Sequence, residues 1–322
     1  MMMNIFYVGP EHHKTHFGFT KNLIGGKYFH SGMKVGNTYE AIKSLDTPEV
    51  NWFFADLYPK VIPFLKGKKV FVPHGLGPKP YLTGNRERID LLRRYFDQVW
   101  AAGKLELPEY HNAGIPQEKL FQVGSTHLFG IPDLPERPGS VLISCGWFAE
   151  IMPVEKMKEF LSVFPSDLHV YVTCHPSMPQ DQRAEIGNIC KKRNFFVIDT
   201  EEELEKAYAY CSCAIVGLSS IATPFFYLNK PVIFLKERNR FPFLQWYRLV
   251  NHVGFDAVFF KVLNESTRLL FPGPIEIKVI KNAKISKSAR EMFFETNWDA
   301  TKTGEIILDA VRRLEGRAQL CP

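Results

Sequence analysis

Three histidine- and serine-bearing segments in this chain have the residue types and spacing to do chemistry on a phosphate. The first is Val70-Phe71-Val72-Pro73-His74-Gly75-Leu76-Gly77, an apolar run that closes on a histidine flanked by glycines. The second is Val172-Thr173-Cys174-His175-Pro176, and the third is Ile215-Val216-Gly217-Leu218-Ser219-Ser220-Ile221-Ala222-Thr223-Pro224. An imidazole titrates near pH ~6.5 and can take a proton from a hydroxyl at neutral pH. When charged it donates two hydrogen bonds and can grip a phosphate. Paired serines at the first turn of a helix add hydroxyls to free N–H groups and form an anion site. A fourth segment, Val197-Ile198-Asp199-Thr200, ends a strand-like run and could present its backbone to a base edge. Each has a plainer reading: a turn that contains a histidine, or a Ser or Thr that only caps a helix.

The elements that must position these residues alternate strand and helix. Asn4–Val8, Asn51–Ala55, Lys69–Val72, Asp97–Ala102 and Leu120–Val123 read as strands, and Arg86–Phe96 as a helix with Ile89, Leu92 and Phe96 at helical spacing. The pattern restarts after Gly130-Ile131-Pro132-Asp133-Leu134-Pro135-Glu136-Arg137-Pro138-Gly139, the best linker candidate. Strands are expected at Val141–Ser144, Leu168–Thr173, Phe195–Ile198, Cys213–Val216 and Pro231–Leu235. Helices are expected at Val154–Phe164, Asp181–Arg193, Glu201–Tyr210 (with Thr200 as N-cap) and Ile221–Leu228. Continuous apolar strands joined by helices imply parallel sheets covered on both faces. The expected class is α/β, with two Rossmann-like doubly wound domains, a cleft between them and a C-terminal helix packing back. The expected boundaries are 1–130 (acceptor side), 131–138 (linker), 139–296 (nucleotide side) and 297–322 (terminal helix). In such sheets ligands sit where strands end and helices begin. The His-Pro, Asp-Thr and Ser-Ser turns are expected to neighbour one another there.

Composition narrows the partners. Of 322 residues, 45% are hydrophobic and 23% charged, as in a folded chain large enough for two cores. The net charge is +6, from 40 basic and 34 acidic residues, which suits a polyanionic substrate, a nucleotide or an anionic membrane surface as well as an ordinary solvated surface. The six cysteines form no C-x-x-C pair, so a reducing, cytoplasmic location without disulfides or a zinc knuckle is expected. The N-terminus lacks a signal-peptide core and no apolar window reaches membrane-spanning length, so any membrane contact would be peripheral. No RNA-binding signature or zinc finger argues for nucleic acid. Lys79, Arg86, Arg88, Arg93 and Arg94 could meet a polyanionic acceptor or lipid head groups. The aromatic-basic block 238–247 could rim an acceptor or lie on a bilayer, and a core or lid segment explains it equally well. His12, His13 and His16 could line the acceptor side, although a surface turn explains them as well.

The series resembles the CDP-glycerol glycerophosphotransferase family of teichoic acid and capsule synthesis. The matching residues are His74-Gly75, His175-Pro176, Ser219-Ser220-Ile221-Ala222, Asn229-Lys230-Pro231-Val232-Ile233-Phe234 and the closing segment Ala289–Thr301. The chain departs from the family at Gly217, where many members carry an acid, and at Leu76, where they carry threonine after His-Gly. The resemblance implies a GT-B-like transferase that moves glycerol phosphate from a CDP-activated donor to a hydroxyl of a glycan or glycolipid acceptor. No acid cluster in the sequence suggests a required metal, so catalysis without a metal or cofactor is expected. His74 and His175 would be catalytic, with Gly75, Gly146, Pro176, Asp199, Thr200, Ser219, Ser220 and Thr223 binding the substrate or nucleotide. Alternatives on the same scaffold are a transferase using a CMP- or UDP-sugar with Glu11, Asp56 or Asp97 as base, a nucleotide-sugar epimerase, and a nucleotide-binding module without turnover.

Overall fold

A computed structural model describes residues 4–9, 14, 17–30, 35–72, 85–103, 106–145, 154–176, 178–216, 221–237, 265–271, 275–289 and 299–316. The chain divides into two compact units, Met1–Gly130 with Phe293–Pro322, and Ile131–Met292. The strands of the first unit are β1 (Asn4–Gly9), β2 (Lys27–His30), β3 (Val50–Phe54), β4 (Lys68–Phe71), β5 (Gln98–Ala101) and β6 (Leu120–Gln122). Those of the second are β7 (Arg137–Cys145), β8 (His169–Cys174), β9 (Phe196–Ile198), β10 (Cys211–Val216), β11 (Val232–Glu237) and β12 (Thr267–Phe271). The helices are α1 (Gly18–Ile24), α2 (Val35–Leu45), α3 (Arg86–Tyr95), α4 (Glu106–Asn112), α5 (Val154–Val163), α6 (Gln180–Arg193), α7 (Glu201–Tyr210), α8 (Ala222–Tyr227), α9 (Ile277–Lys281) and α10 (Ala300–Leu314).

The first sheet runs β2-β1-β3-β4-β5-β6 and every pairing in it is parallel. Because successive strand residues face opposite sides, Phe6, Val8, Trp52, Phe54 and Phe71 meet Ile42 of α2, Ile89 and Leu92 of α3 and Tyr110 of α4 on one face. Ile5, Tyr7, Phe53, Val70 and Trp100 meet Ile307, Ala310, Val311 and Leu314 of α10 on the other. A buried amide chain fixes α10 there. Trp100 Nε1 donates to Gln98 Oε1 at 3.0 Å, and Gln98 Nε2 donates to the Ala310 carbonyl at 2.6 Å. Without that carbonyl, the Gln98 amide would be desolvated and unpaired.

The second sheet runs β12-β11-β10-β7-β8-β9, again all parallel. Val141, Ile143, Val170, Val172, Ile215 and Ile233 pack against Met157, Phe160 and Leu161 of α5, Ile186 and Cys190 of α6 and Ile280 of α9. Leu142, Ala214, Val216 and Phe234, which alternate with them, are buried as are Ala207 and Tyr208 of α7 and Phe225 and Phe226 of α8. β7 begins at Arg137, inside the Pro/Gly-rich stretch, with Arg137 paired to Cys211. Its guanidinium lies 4.1 Å from the Tyr210 ring centroid and donates to Tyr171 Oη at 2.8 Å. That anchors a residue which composition alone would leave in a loop.

Candidate functional site

Each sheet reverses its strand order once, and such a reversal opens a crevice at the carboxyl ends of the two strands involved. In the second unit the reversal lies between β7 and β10. Ser144 pairs with Val216 of β10 on one side and with Thr173 of β8 on the other, so two buried hydroxyl residues stand side by side one position before the ends of β7 and β8. The segments that continue from β7 and β10 carry Gly146 and Ser219-Ser220. They lie outside the described residues, as do His74 and Gly75 beyond β4. Thr223 is buried in the first turn of α8, a helix whose start carries no side-chain cap.

His175 follows β8, one strand from the crevice, and is half-buried, while Pro176 is exposed. The turn between them is held from three directions. Proline restricts the backbone of the histidine before it. The His175 carbonyl accepts from Met178 N at 2.9 Å and from Arg183 Nη2 at 3.1 Å. The Pro176 carbonyl accepts from the same Nη2 at 2.7 Å. Sequence reading overlooked Arg183 because it sits eight residues on, among the other polar residues of α6. Nothing but proximity in the fold marks it.

The expectation that the His-Pro, Asp-Thr and Ser-Ser turns neighbour one another is corrected. β9, which leads to Asp199-Thr200, is the edge strand. It adjoins β8 but is separated from β10 by β7 and β8. The strand between β8 and β10 is β7, which carries Ser144. The Asp199 and Thr200 N–H groups also have a partner already. Both donate to Glu203 Oε2, at 2.9 and 3.1 Å, while Thr200 Oγ1 accepts from Glu203 N at 3.2 Å. This is a capping box. The backbone bonds from Asp199 and Thr200 hold the Glu203 carboxyl below the usual carboxylate range. The two N–H groups expected to read a base edge therefore bind a carboxylate of their own chain.

Two other segments also lie away from the carboxyl edges. Lys230, in the stretch that carried much of the resemblance, caps the end of α7. Its Nζ donates to the carbonyls of Tyr208 (3.0 Å), Ala209 (2.5 Å) and Cys211 (2.8 Å). This is the amino end of the second sheet, and burial there lowers the ammonium pKa. Asp97 precedes β5 and accepts from Lys69 N at 2.8 Å and Lys68 Nζ at 3.5 Å. It is thereby removed from the carboxylate candidates, because it stands at the amino edge of its sheet. Asp56 is different. It follows β3, one of the two strands at the first sheet's own reversal, and its Oδ1 accepts from Leu57 N at 2.8 Å. β4, which leads to His74, pairs with β3. Glu11, the three early histidines, Lys79 and the block 238–247 lie outside the described residues. Among the described residues, no group of three His, Cys, Asp or Glu is placed to hold a metal ion, and no helix is long and apolar enough to cross a membrane.

Two all-parallel sheets flanked by helices put the chain in the α/β class together with proteins of GT-B type. Among solved structures it is similar to the wall teichoic acid polymerase TagF, at a TM-score of 0.64 and 11% identity over 99% of this chain and 91% of that one. TagF has also been determined as a histidine-to-asparagine variant soaked with CDPG. The chain is similar as well to a candidate UDP-N-acetylglucosamine 2-epimerase from Listeria monocytogenes (TM-score 0.56, 10% identity, covering 99% and 98%). A third similar structure is HepE from Anabaena in complex with UDP-glucose (TM-score 0.52, 12% identity, covering 97% and 100%). At such identities the likeness is one of fold. No protein-family model matches the chain, and no curated protein matches it in sequence.

Proposed function

We propose that this chain is a transferase that moves a glycerol-phosphate or related polyol-phosphate group from a CDP-activated donor to a hydroxyl of a cell-surface glycan or glycolipid acceptor. It would work in the cytoplasm, on the inner face of the membrane. The observation that carries this reading is the pinned His175-Pro176 turn, one strand from the β7/β10 reversal, with Ser219-Ser220 following β10 in the sequence. Polar strand ends, a histidine and paired serines suit a diphosphate. The solved TagF variant soaked with CDPG adds a precedent on the same fold.

In the proposed reaction the acceptor hydroxyl attacks the phosphorus that bears the glycerol. A bond forms from that oxygen to phosphorus, and the bond to the bridging oxygen of CMP breaks. His74 takes the hydroxyl proton. His175 and the two serines neutralise the charge that builds up on the departing CMP. In-line phosphoryl transfer depends mostly on such positioning and neutralisation. A thermal-shift panel of CMP, CDP, CDP-glycerol, UDP and GDP tests the reading. Cytidine nucleotides should give the largest shifts, and a preference for UDP rejects the cytidine donor.

One observation favours a second reading, a sugar transferase or epimerase using a UDP-sugar. Asp56 stands at the carboxyl end of β3, at the first sheet's reversal, where a carboxylate base would be useful. HepE, with UDP-glucose bound, is the corresponding precedent. Nucleotide binding without turnover in any transfer assay would leave the binding-module reading.

A further inference from the structure

We infer that Arg183 is a positioning residue for His175, and this rests on the reading of His175 as a phosphate ligand. Arg183 lies in the first turns of α6, and its Nη2 spans two consecutive carbonyls, His175 at 3.1 Å and Pro176 at 2.7 Å. Its own N–H closes the helix start by donating to the Pro179 carbonyl at 3.0 Å. The guanidinium therefore joins the strand end to the helix across the turn. Two peptide planes are fixed by it, and Pro176 fixes the backbone dihedral between them. One of those planes adjoins the His175 Cα on its carboxyl side, and the plane on its amino side is set by Cys174 at the end of β8, so the two together direct the Cα–Cβ bond and leave the imidazole its side-chain rotations.

The guanidinium is held at a cost. Its Nε is buried and finds no hydrogen-bond partner among the described residues. An arginine on a helix surface could avoid that by turning into water, and buried donors without partners are uncommon in folded chains. α6 could be anchored more simply by a side-chain N-cap, yet Pro179 stands at that position and offers none. A stabilising anchor alone would not require both carbonyls beside the histidine.

The test compares wild type, Arg183→Ala and Arg183→Lys. The 13C-labelled histidine ring signals are followed, with His175 identified by the signal lost in His175→Gln, and CDP affinity is measured by calorimetry. In Arg183→Ala the His175 ring signals should move and broaden, and CDP affinity should fall about tenfold. Arg183→Lys should restore part of both, as should millimolar guanidinium added to Arg183→Ala. A role in stability alone would lower the melting temperature and leave the ring signals in place. Unmoved His175 signals in folded Arg183→Ala overturn the inference. If that variant does not fold, unmoved signals in Arg183→Lys overturn it, and displaced ones support it. If wild type binds no cytidine nucleotide, the donor reading fails, while the ring signals still decide whether Arg183 positions His175.

Discussion

The two units solve one topological problem with different residues. Both sheets are parallel and six-stranded, and both reverse once, the first between β1 and β3 and the second between β7 and β10. In both, a sequence histidine follows the strand beside the reversal: His74 after β4 and His175 after β8. The second unit carries buried hydroxyl residues, Ser144 and Thr173, one position before the ends of β7 and β8, and ties its histidine turn to a helix through Arg183. In the first, β3 ends at Phe54 and is followed by Ala55 and a carboxylate, Asp56. Under the proposed function the second unit would hold the donor's phosphates and the first would take the acceptor proton.

Exchanging the effects of the two histidines would break this division most directly. His74→Ala should lower transfer from CDP-glycerol by roughly 10²–10⁴-fold, the usual worth of a general base, with CDP affinity nearly intact. His175→Ala should weaken CDP binding roughly 10–100-fold, as expected when charge-assisted hydrogen bonds to a phosphate are lost. A transfer assay paired with calorimetry reads both. Loss of nucleotide binding in His74→Ala ends its assignment as base.

Within the second unit, Lys230 marks the opposite edge of the sheet. Lys230→Met strips the donor from three carbonyls at the end of α7 and should cost about 2 kcal/mol of stability in denaturant titrations. CDP affinity in the folded variant should not change. A lost nucleotide site without a loss of stability would place Lys230 at the site after all.

Alkaline pH should separate the units. Burial pushes the thiols of Cys190 and Cys213 up to about 12 and that of Cys211 higher still, from an ordinary value of 9.0. A folded-state value above the unfolded one means stability that is complete below pH 9 and is lost as pH rises toward 12. Burial of Lys230 acts in the opposite sense, because its lowered ammonium pKa favours the folded form as pH rises. Burial raises the Tyr208 hydroxyl in the same sense as the three thiols, and Lys230 opposes all four. In the first unit the corresponding buried group is Tyr7, which ionises from 10.0 upward when unfolded, and Lys69 offsets it. Pulse proteolysis with peptide mapping across this range should cut the second unit first. Earlier cutting of the first unit contradicts the assignment.

The strands and most helices were legible because their signal is local. Parallel strands buried on both faces, such as Val141–Ser144 and Cys213–Val216, are continuous apolar runs, and the Thr200 cap is written in Thr-x-x-Glu. β2 and β12 were missed, as were α1, α2, α4 and α9; β2 opens on Lys27 and Arg268 interrupts the apolar run of β12. Strand order was not legible at all. β7 enters between β8 and β10 because the chain crosses the sheet after β9, and no short run of residues encodes that crossing. The same blindness concealed Arg183 and gave Lys230 a place among the site motifs.

Asp199 provides the sharpest test of that order, because the expected effect is small. On sequence spacing it stood with His175 and Ser219-Ser220 as a third support of the nucleotide. In the fold it follows the edge strand, two strands from β10, and its N–H is held by Glu203. Removing its carboxylate touches neither the β7/β10 crevice nor the capping box, whose donors are backbone N–H groups. Asp199→Ala should therefore change CDP affinity by no more than about twofold, because what remains is one exposed charge screened by solvent. Glu203→Ala should melt the start of α7 and lower stability by about 1 kcal/mol, with affinity again nearly constant. A tenfold loss of affinity in Asp199→Ala would mean that the donor extends along the carboxyl edge as far as β9. The binding half would then span four strand ends, those of β10, β7, β8 and β9, instead of three.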